Sequence, residues 1–529
     1  MYQVEKFYIK IAAVVLSLFV MLAQPSTLSA AARIGYQPRH GYGTDYVSRG
    51  GDVMTHAVPA AFPDEGTPLF NVKVDGGYVG LYRDRNFWGG LVHFGSFEFT
   101  NGHPVTILIS YYQDIRSYEL LPARRLDGVS VRQTGHRCLC VTMSRADQNL
   151  TIVINGDLRG NVLHLFANSI DTQAPAMTST AGYQRDESRR LIYFGPGYYD
   201  LKKLFGSSCL QVKDRWQVYI AAGAVVYGSI ALRGVAKGTR VCGRGMVYND
   251  SLQPEVLLAA SNCTGADVAG ITLHGHRAQC WQVIVDHCHN VEMKNVKIIS
   301  TRYASTDGLD VVNSEQCAFL GMFIRASDDA VAIKGLGGNH PADNAPSRNL
   351  TFCNMQLWND CNNAFGIGAE NHCAFYEHIR LMNSSILFSY DDPNYHEQLD
   401  ERAAMGICCI HGTYFRDILF DNVDVYHCER LIALGFHPDF WFGALKGDQT
   451  TPGGMQRITF SHINVLSNSG SRIANKINLK AWRQPDTPPK DIDSVAFNHV
   501  IIDGHQLQNT DDSCFSETNF EGIHHLQFQ

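Results

Sequence analysis

A loose internal repeat constrains this chain more than any single residue does, because a recurring unit dictates the architecture that stacks it. The units are Ala266-Asp-Val-Ala-Gly-Ile-Thr-Leu, His289-Asn-Val-Glu-Met-Lys-Asn-Val, Arg348-Asn-Leu-Thr-Phe-Cys-Asn-Met, Arg416-Asp-Ile-Leu-Phe-Asp-Asn-Val, Gln456-Arg-Ile-Thr-Phe-Ser-His-Ile and Asp493-Ser-Val-Ala-Phe-Asn-His-Val. Each alternates apolar with polar residues and then turns at a small or Asn/Asp residue, as a strand with one buried face does. Taking Val268 and Val291 as equivalent gives a first spacing of 23 residues (291 − 268), and later units lie further apart. That pattern predicts a parallel β-solenoid whose rungs carry insertions on one side, where they would wall a cleft. A leucine-rich horseshoe would need a regular leucine and asparagine framework, which is missing, and no helical periodicity separates the strands.

Ahead of the repeats, from about residue 36 to 185, the pattern changes to short alternating strands with turn signals. Examples are Phe70-Asn-Val-Lys-Val-Asp, Val105-Thr-Ile-Leu-Ile-Ser and Leu150-Thr-Ile-Val-Ile-Asn followed by Gly156-Asp157. This reads as a β-sandwich over 36–185, with the β-helix over 186–529. Two units suit the 529 residues, since single cores stop growing at roughly 250 to 300 residues. At the N-terminus, Lys6 and Lys10 precede the apolar run Ile11 to Ala23 and the small-residue stretch Leu28-Ser-Ala-Ala-Ala32. These predict a signal peptide over 1–32 and an exported, secreted or periplasmic protein. The run is shorter than the roughly 20 apolar residues of a spanning helix, and no later segment could span a bilayer.

The 44 Lys and Arg stand against 51 Asp and Glu, for a net charge of −7. No basic stretch is dense enough to track a phosphate backbone, which excludes nucleic acid as the expected partner. The cysteines number fifteen, an odd count, and are scattered without a metal-type Cys-x-x-Cys pair. Most are therefore expected to act as small apolar residues in a narrow core, and no cofactor is implied.

The chemistry is concentrated in Ser305-Thr-Asp307-Gly-Leu-Asp310 and Ser327-Asp328-Asp329-Ala-Val-Ala-Ile-Lys334. Asp307 precedes Asp328 by 21 residues (328 − 307). That is about one rung, so the two should stack roughly 4.8 Å apart along the axis. Hydrolysis of a glycosidic bond with inversion needs one protonated carboxyl to give a proton to the leaving oxygen and an ionised one to activate water. Crowded carboxylates supply that division, because repulsion drives one to keep its proton while its neighbours ionise. The same residues admit other readings. Asp at a rung corner can simply cap a turn. Several carboxylates can also hold calcium, as a polysaccharide lyase would require, although no Arg or Lys is evidently placed as the proton-abstracting base. A solenoid that binds glycan without cutting it is a third alternative. The pair Asp391-Asp392 lies in the polar loop 389–402 and reads as solvated.

Ser305-Thr306-Asp307-Gly308, followed after a rung by Asp328-Asp329, resembles the signature of the polygalacturonase family of glycoside hydrolases, with Ser in place of a leading Asn. The resemblance implies an inverting enzyme on a right-handed parallel β-helix, with Asp328 as general acid and Asp307 and Asp329 positioning the nucleophilic water. The family's Gly-His-Gly and Arg-x-Lys are not intact, and Asn363 falls where the histidine would. The dextranase family is similar in its N-terminal sandwich, its Thr-Asp-Gly rung followed by Asp-Asp-Ala, and a Leu-Trp-Asn-Asp segment, here Leu357 to Asp360. The implied partner is a polysaccharide or oligosaccharide, pectin-like or dextran-like. Expected substrate contacts are Asp310, Lys334, Trp358, Asn363 and His276, with Lys334 alternatively pairing an ionised Asp and Glu370 a weaker candidate of that sort. Trp358 would offer a face for a sugar ring, and His274 and His276 would line the cleft one rung before Asp307.

Overall fold

The computed structural model describes residues 47–529 except 50, 64–65, 178, 251–255, 276–279, 301, 338–340, 391–401, 439–449, 467–475 and 516–519. The predicted leader, His276 and Asp391-Asp392 lie outside the described residues. Among those described, α-helix is confined to Leu201–Phe205 and everything else of regular length is strand. No described helix is long and apolar enough to cross a membrane.

The N-terminal part is two facing sheets, one of seven strands and one of five. Val105–Tyr111 alternates buried with more exposed residues along its length, the mark of a strand with one face on a core. Ile107, Ile109, Leu139 and Val141 from the smaller sheet meet Phe97, Phe99, Leu150, Ile152, Leu163 and Leu165 from the larger one. In the larger sheet Leu91–Phe99 runs parallel to Val162–Ser169, and the outer side of these two strands faces the solenoid.

From about residue 191 the chain winds into a parallel β-helix, confirming the predicted class. Each early rung is three short strands, for example Ala266–Ala269, Thr272–Gly275 and Val283–Asp286, each paired in parallel with its counterpart one turn on. The inward residues form a continuous apolar core. Phe420, Phe460 and Phe497 stack within it, with neighbouring centroids 4.8 and 5.6 Å apart. Such ladders follow because equivalent positions on successive rungs lie one strand spacing apart, roughly 4.8 Å. In three of the six units an Asn turns the chain: Asn295, Asn354 and Asn422 all have positive φ, a conformation Asn tolerates far better than bulkier residues. All fifteen cysteines are free and most are buried, including Cys263, Cys288 and Cys317 inside the solenoid, in keeping with a packing role.

One register differs from the sequence expectation. Val268 pairs with Met293, not Val291, which pairs with Ala266. The true spacing is thus 25 (293 − 268). The two-residue shift keeps every inward residue inward, because side chains alternate with a period of two.

The sandwich is welded to the second strand of the rungs. Val92, Phe94, Val162 and Phe166 pack on Tyr248, Ile299, Phe323, Trp358 and Phe388. Buried polar groups run through the same seam. Arg325 forms an ion pair of 3.0 Å with Asp360, both fully buried, while His164 of the sandwich lies 3.2 Å from the Arg325 guanidinium. The Lys297 Nζ donates to Asn168 Oδ1 at 2.6 Å.

Candidate active site

The turns between the second and third strands of successive rungs carry the Asp cluster. Asp307 precedes Leu309–Val312, and Asp328 and Asp329 precede Val331–Gly335. Leu309 pairs with Val331 and Gly308 N–H donates to the carbonyl of Asp329 at 2.8 Å. Asp307 is therefore level with Asp329, at a rung length of 22 (331 − 309), and Asp328 sits one position to the side. Val331 pairs with Phe365, so Asn363 continues the same column. Gly308 is required here, since a Cβ would lie 2.7 Å from the Ala330 carbonyl oxygen and 2.4 Å from Ile324 Cγ2.

Asp307, Asp328 and Asp329 each bring a carboxylate oxygen within 4.8 Å of the others. Asp307 and Asp329 are nearly enclosed, at 2% and 4% exposure, whereas Asp328 is the most open of the three. Lys334 Nζ donates to Asp307 Oδ2 at 2.7 Å and lies 3.2 Å from Asp310 and 3.6 Å from Glu370. Asp328 accepts from Ser305 N–H at 2.9 Å, Asn362 Nδ2 at 2.6 Å and Asp329 N–H at 3.0 Å. Asp329 Oδ1 accepts from both the backbone and the side-chain nitrogen of Asn363 at 2.9 Å.

The electrostatics follow from burial and crowding. Burial, with the Asp307 charge adding to it, lifts Asp328 from its ordinary 3.8 to about 6. Burial and then Asp307 and Asp328 push Asp329 well above the carboxylate range. Burial raises Asp307 too, but Lys334 opposes it. Burial works against the charge on Lys334, yet Asp307, Glu370, Asp310 and Asp329 together carry it well above its ordinary value. The arrangement is one cation paired with Asp307, in a set of three carboxyls that all hold protons more tightly than free ones, with Lys334 opposing the rise at Asp307.

The expected substrate contacts fare differently. Trp358 is fully buried, stacked on Phe388 at 4.8 Å, with its Nε1 donating to Asp360. It belongs to the seam with the sandwich and cannot meet a sugar, because its outward direction is the covered one. His274 is buried in that seam as well, between Tyr248 and Phe94. Asp310 and Lys334 are buried beneath the carboxylates, so they balance charge there and do not reach a ligand. The Asn363 side chain is spent on Asp329, Asn362 and the Ala403 N–H. Trp281, overlooked in the sequence, stands in the column one rung before Asp307: it is partly exposed, with its ring centroid 3.7 Å from Lys334 Nζ. Its signal was its place two residues ahead of the strand Val283–Asp286, the same offset that Asp307 has from Leu309–Val312.

Over these rungs the comparison with known families is direct. The profile of Glycosyl hydrolases family 28 matches residues 223–358, the stretch that holds all three Asp. The chain is a polygalacturonase-like glycoside hydrolase. No curated protein matches the hydrolase in sequence. Among solved structures, Dex49A from Penicillium minioluteum is similar in shape at 12% identity and a TM-score of 0.63, covering 92% of this chain and 100% of its own. That likeness shows the fold. A family 28 exopolygalacturonase of Yersinia enterocolitica aligns at 10% identity and a TM-score of 0.45, over 81% of this chain and 96% of its own.

Proposed function

We propose that this chain hydrolyses a polysaccharide with inversion of the anomeric centre, with Asp328 as general acid and Asp307 and Asp329 holding the attacking water. The observation that carries the reading is the cluster of the Asp307, Asp328 and Asp329 carboxylates, of which Asp307 pairs with the buried Lys334 ammonium. Asp328 is the carboxyl with access to solvent and with a proton affinity lifted into the range where a general acid works. Asp307, paired with Lys334, draws a proton from the water as the glycosidic carbon develops positive charge. Asp329, seated by Asn363, fixes that water's second hydrogen bond. Trp281, in the column one rung before Asp307, borders this cluster.

The chain divides, in this reading, into an exported leader over 1–32, a sandwich over 36–185 and a catalytic solenoid over 186–529. The substrate is a dextran-like or pectin-like glycan, and no metal takes part.

One observation favours a second stereochemical course. The carboxylate spacing is below the roughly 6.5–9.5 Å usual for inversion and nearer the roughly 5 Å of a retaining pair. Enclosure of Asp307 and Asp329 argues the other way, since a water can reach an anomeric carbon from them more readily than their own oxygens can. Incubating the mature chain with dextran, pullulan, polygalacturonate, rhamnogalacturonan and arabinan, with proton NMR of the first reducing ends, decides both points. Cleavage with the inverted anomer appearing first and full activity in excess chelator is expected. The retained anomer would overturn inversion, and a product with ultraviolet absorbance that needs calcium would replace the hydrolase with a lyase.

A further inference from the structure

Two loops of the sandwich reach the rim of the catalytic turns. Asp84, at the end of the strand Tyr82–Arg85, pairs at 2.9 Å with Arg302, five residues ahead of Asp307. The loop 86–90 carries Trp88 and the loop 156–161 carries Arg159. The Arg159 guanidinium stacks between two rings, 4.4 Å from Trp88 and 4.6 Å from Tyr390 of the solenoid.

Tyr390 is tied to the reaction centre. Its carbonyl accepts from Asn359 Nδ2 at 3.3 Å, the same amide donates to the Asn362 carbonyl at 2.9 Å, and Asn362 Nδ2 donates to Asp328 at 2.6 Å. The backbone of the residue that carries one ring of the stack is thus linked to Asp328 through two asparagines.

The pair of loops is built to hold its shape. The buried Asn86 side chain donates to the Arg159 and Gly160 carbonyls at 3.1 and 2.7 Å and accepts from Gly90 N–H at 2.8 Å. The two backbones touch so closely that a Cβ on Gly90 would lie 2.1 Å from the Gly160 carbonyl oxygen. Yet this rigid scaffold presents an exposed arginine. Among the described residues no carboxylate lies within ion-pair distance of Arg159. The guanidinium, held by two rings and exposed, is a planar fork suited to two acceptor oxygens.

We propose that the sandwich supplies a glycan subsite to the cleft, in which Trp88 and Tyr390 hold the Arg159 guanidinium to grip paired oxygen atoms of a sugar unit distant from the bond being cut. The paired acceptors are either a uronate carboxylate or vicinal hydroxyls, the one chemistry a guanidinium fork reads. The inference rests on the hydrolase reading for the direction of the cleft, but its test does not depend on turnover.

Binding of size-defined galacturonate and isomaltose oligosaccharides, from dimer to octamer, is measured by calorimetry on the full mature chain carrying Asp328→Asn, alone and with Arg159→Ala or Arg159→Lys added. Arg159→Ala is expected to weaken the octamer of one series at least tenfold, to leave the dimer unchanged and to leave the thermal midpoint unchanged. Arg159→Lys, which keeps the charge and loses the fork, is expected to recover only part of the loss. Loss in the galacturonate series alone identifies a carboxylate; loss in the isomaltose series identifies hydroxyls. Equal octamer binding with and without Arg159, equal loss at every length, or no binding by either series would overturn the subsite. If turnover fails while the length-dependent loss persists, the hydrolase reading falls and the subsite stands.

Discussion

At the scale of single residues, Lys334 sets the charge balance of the site. Three carboxylates face it, and all four groups are buried. Removing one member of a buried ionic set leaves the rest uncompensated, at a cost of about 3–5 kcal/mol. Lys334→Met should therefore lower the urea midpoint by that equivalent and abolish turnover together. Asp328 acts in the opposite sense. Its carboxyl ionises at about 6 in the folded chain against 3.8 in its ordinary setting, so the folded state binds the proton more tightly. The resulting penalty is absent below about pH 4, grows as the pH rises and is complete above about pH 6. Asp328→Asn should then be more stable than the parent at pH 7, by on the order of 2 kcal/mol, with no gain at pH 3.5. The parent's activity should fall as pH rises through about 6, where the acid loses its proton.

At the scale of the element, the rung is the unit that converts sequence into geometry. Gly308 lets the turn after Asp307 lie against the next rung, and Gly308→Ala should cost roughly 1–3 kcal/mol by overpacking while displacing Asp307. A fall in turnover larger than the change in melting point would report that displacement, and unchanged turnover would deny it. The repeats made the solenoid legible from the alternation alone, and the Asp trio was legible because it breaks that alternation with charge at the turns. What could not be read was the register: Val268 was matched to Val291 when it faces Met293, because a shift of two residues leaves the polar and apolar pattern unchanged. Trp358 was misplaced for a related reason. Alternation says that a residue points outward from the rung, but not that a second sheet covers that face. Lys334, Asp310 and Asn363 lie beside the Asp cluster, but burial, which the sequence does not display, turns them toward the carboxylates and away from a ligand.

At the scale of the whole molecule, the sandwich and the solenoid share one seam in which charge is enclosed. Arg325, Asp360, His164 and Trp358 are joined there by hydrogen bonds and an ion pair. Burial without ionisation suits His164, whose pKa is pushed well below its usual value by burial and by Arg325. Asp360→Ala should destabilise by about 3–5 kcal/mol, seen as a lowered denaturation midpoint. A change within half a kcal/mol would mean that the seam is not a cooperative part of the fold. The same seam brings Asp84 of the sandwich to Arg302, ahead of the turn that carries Asp307. The account turns on Asp328, and the most direct measurement is the rate at which Asp328→Asn releases reducing ends from whichever glycan the parent cleaves. A fall of about 10²- to 10⁴-fold with the circular dichroism spectrum unchanged is expected; turnover equal to the parent's would contradict the assignment of the general acid.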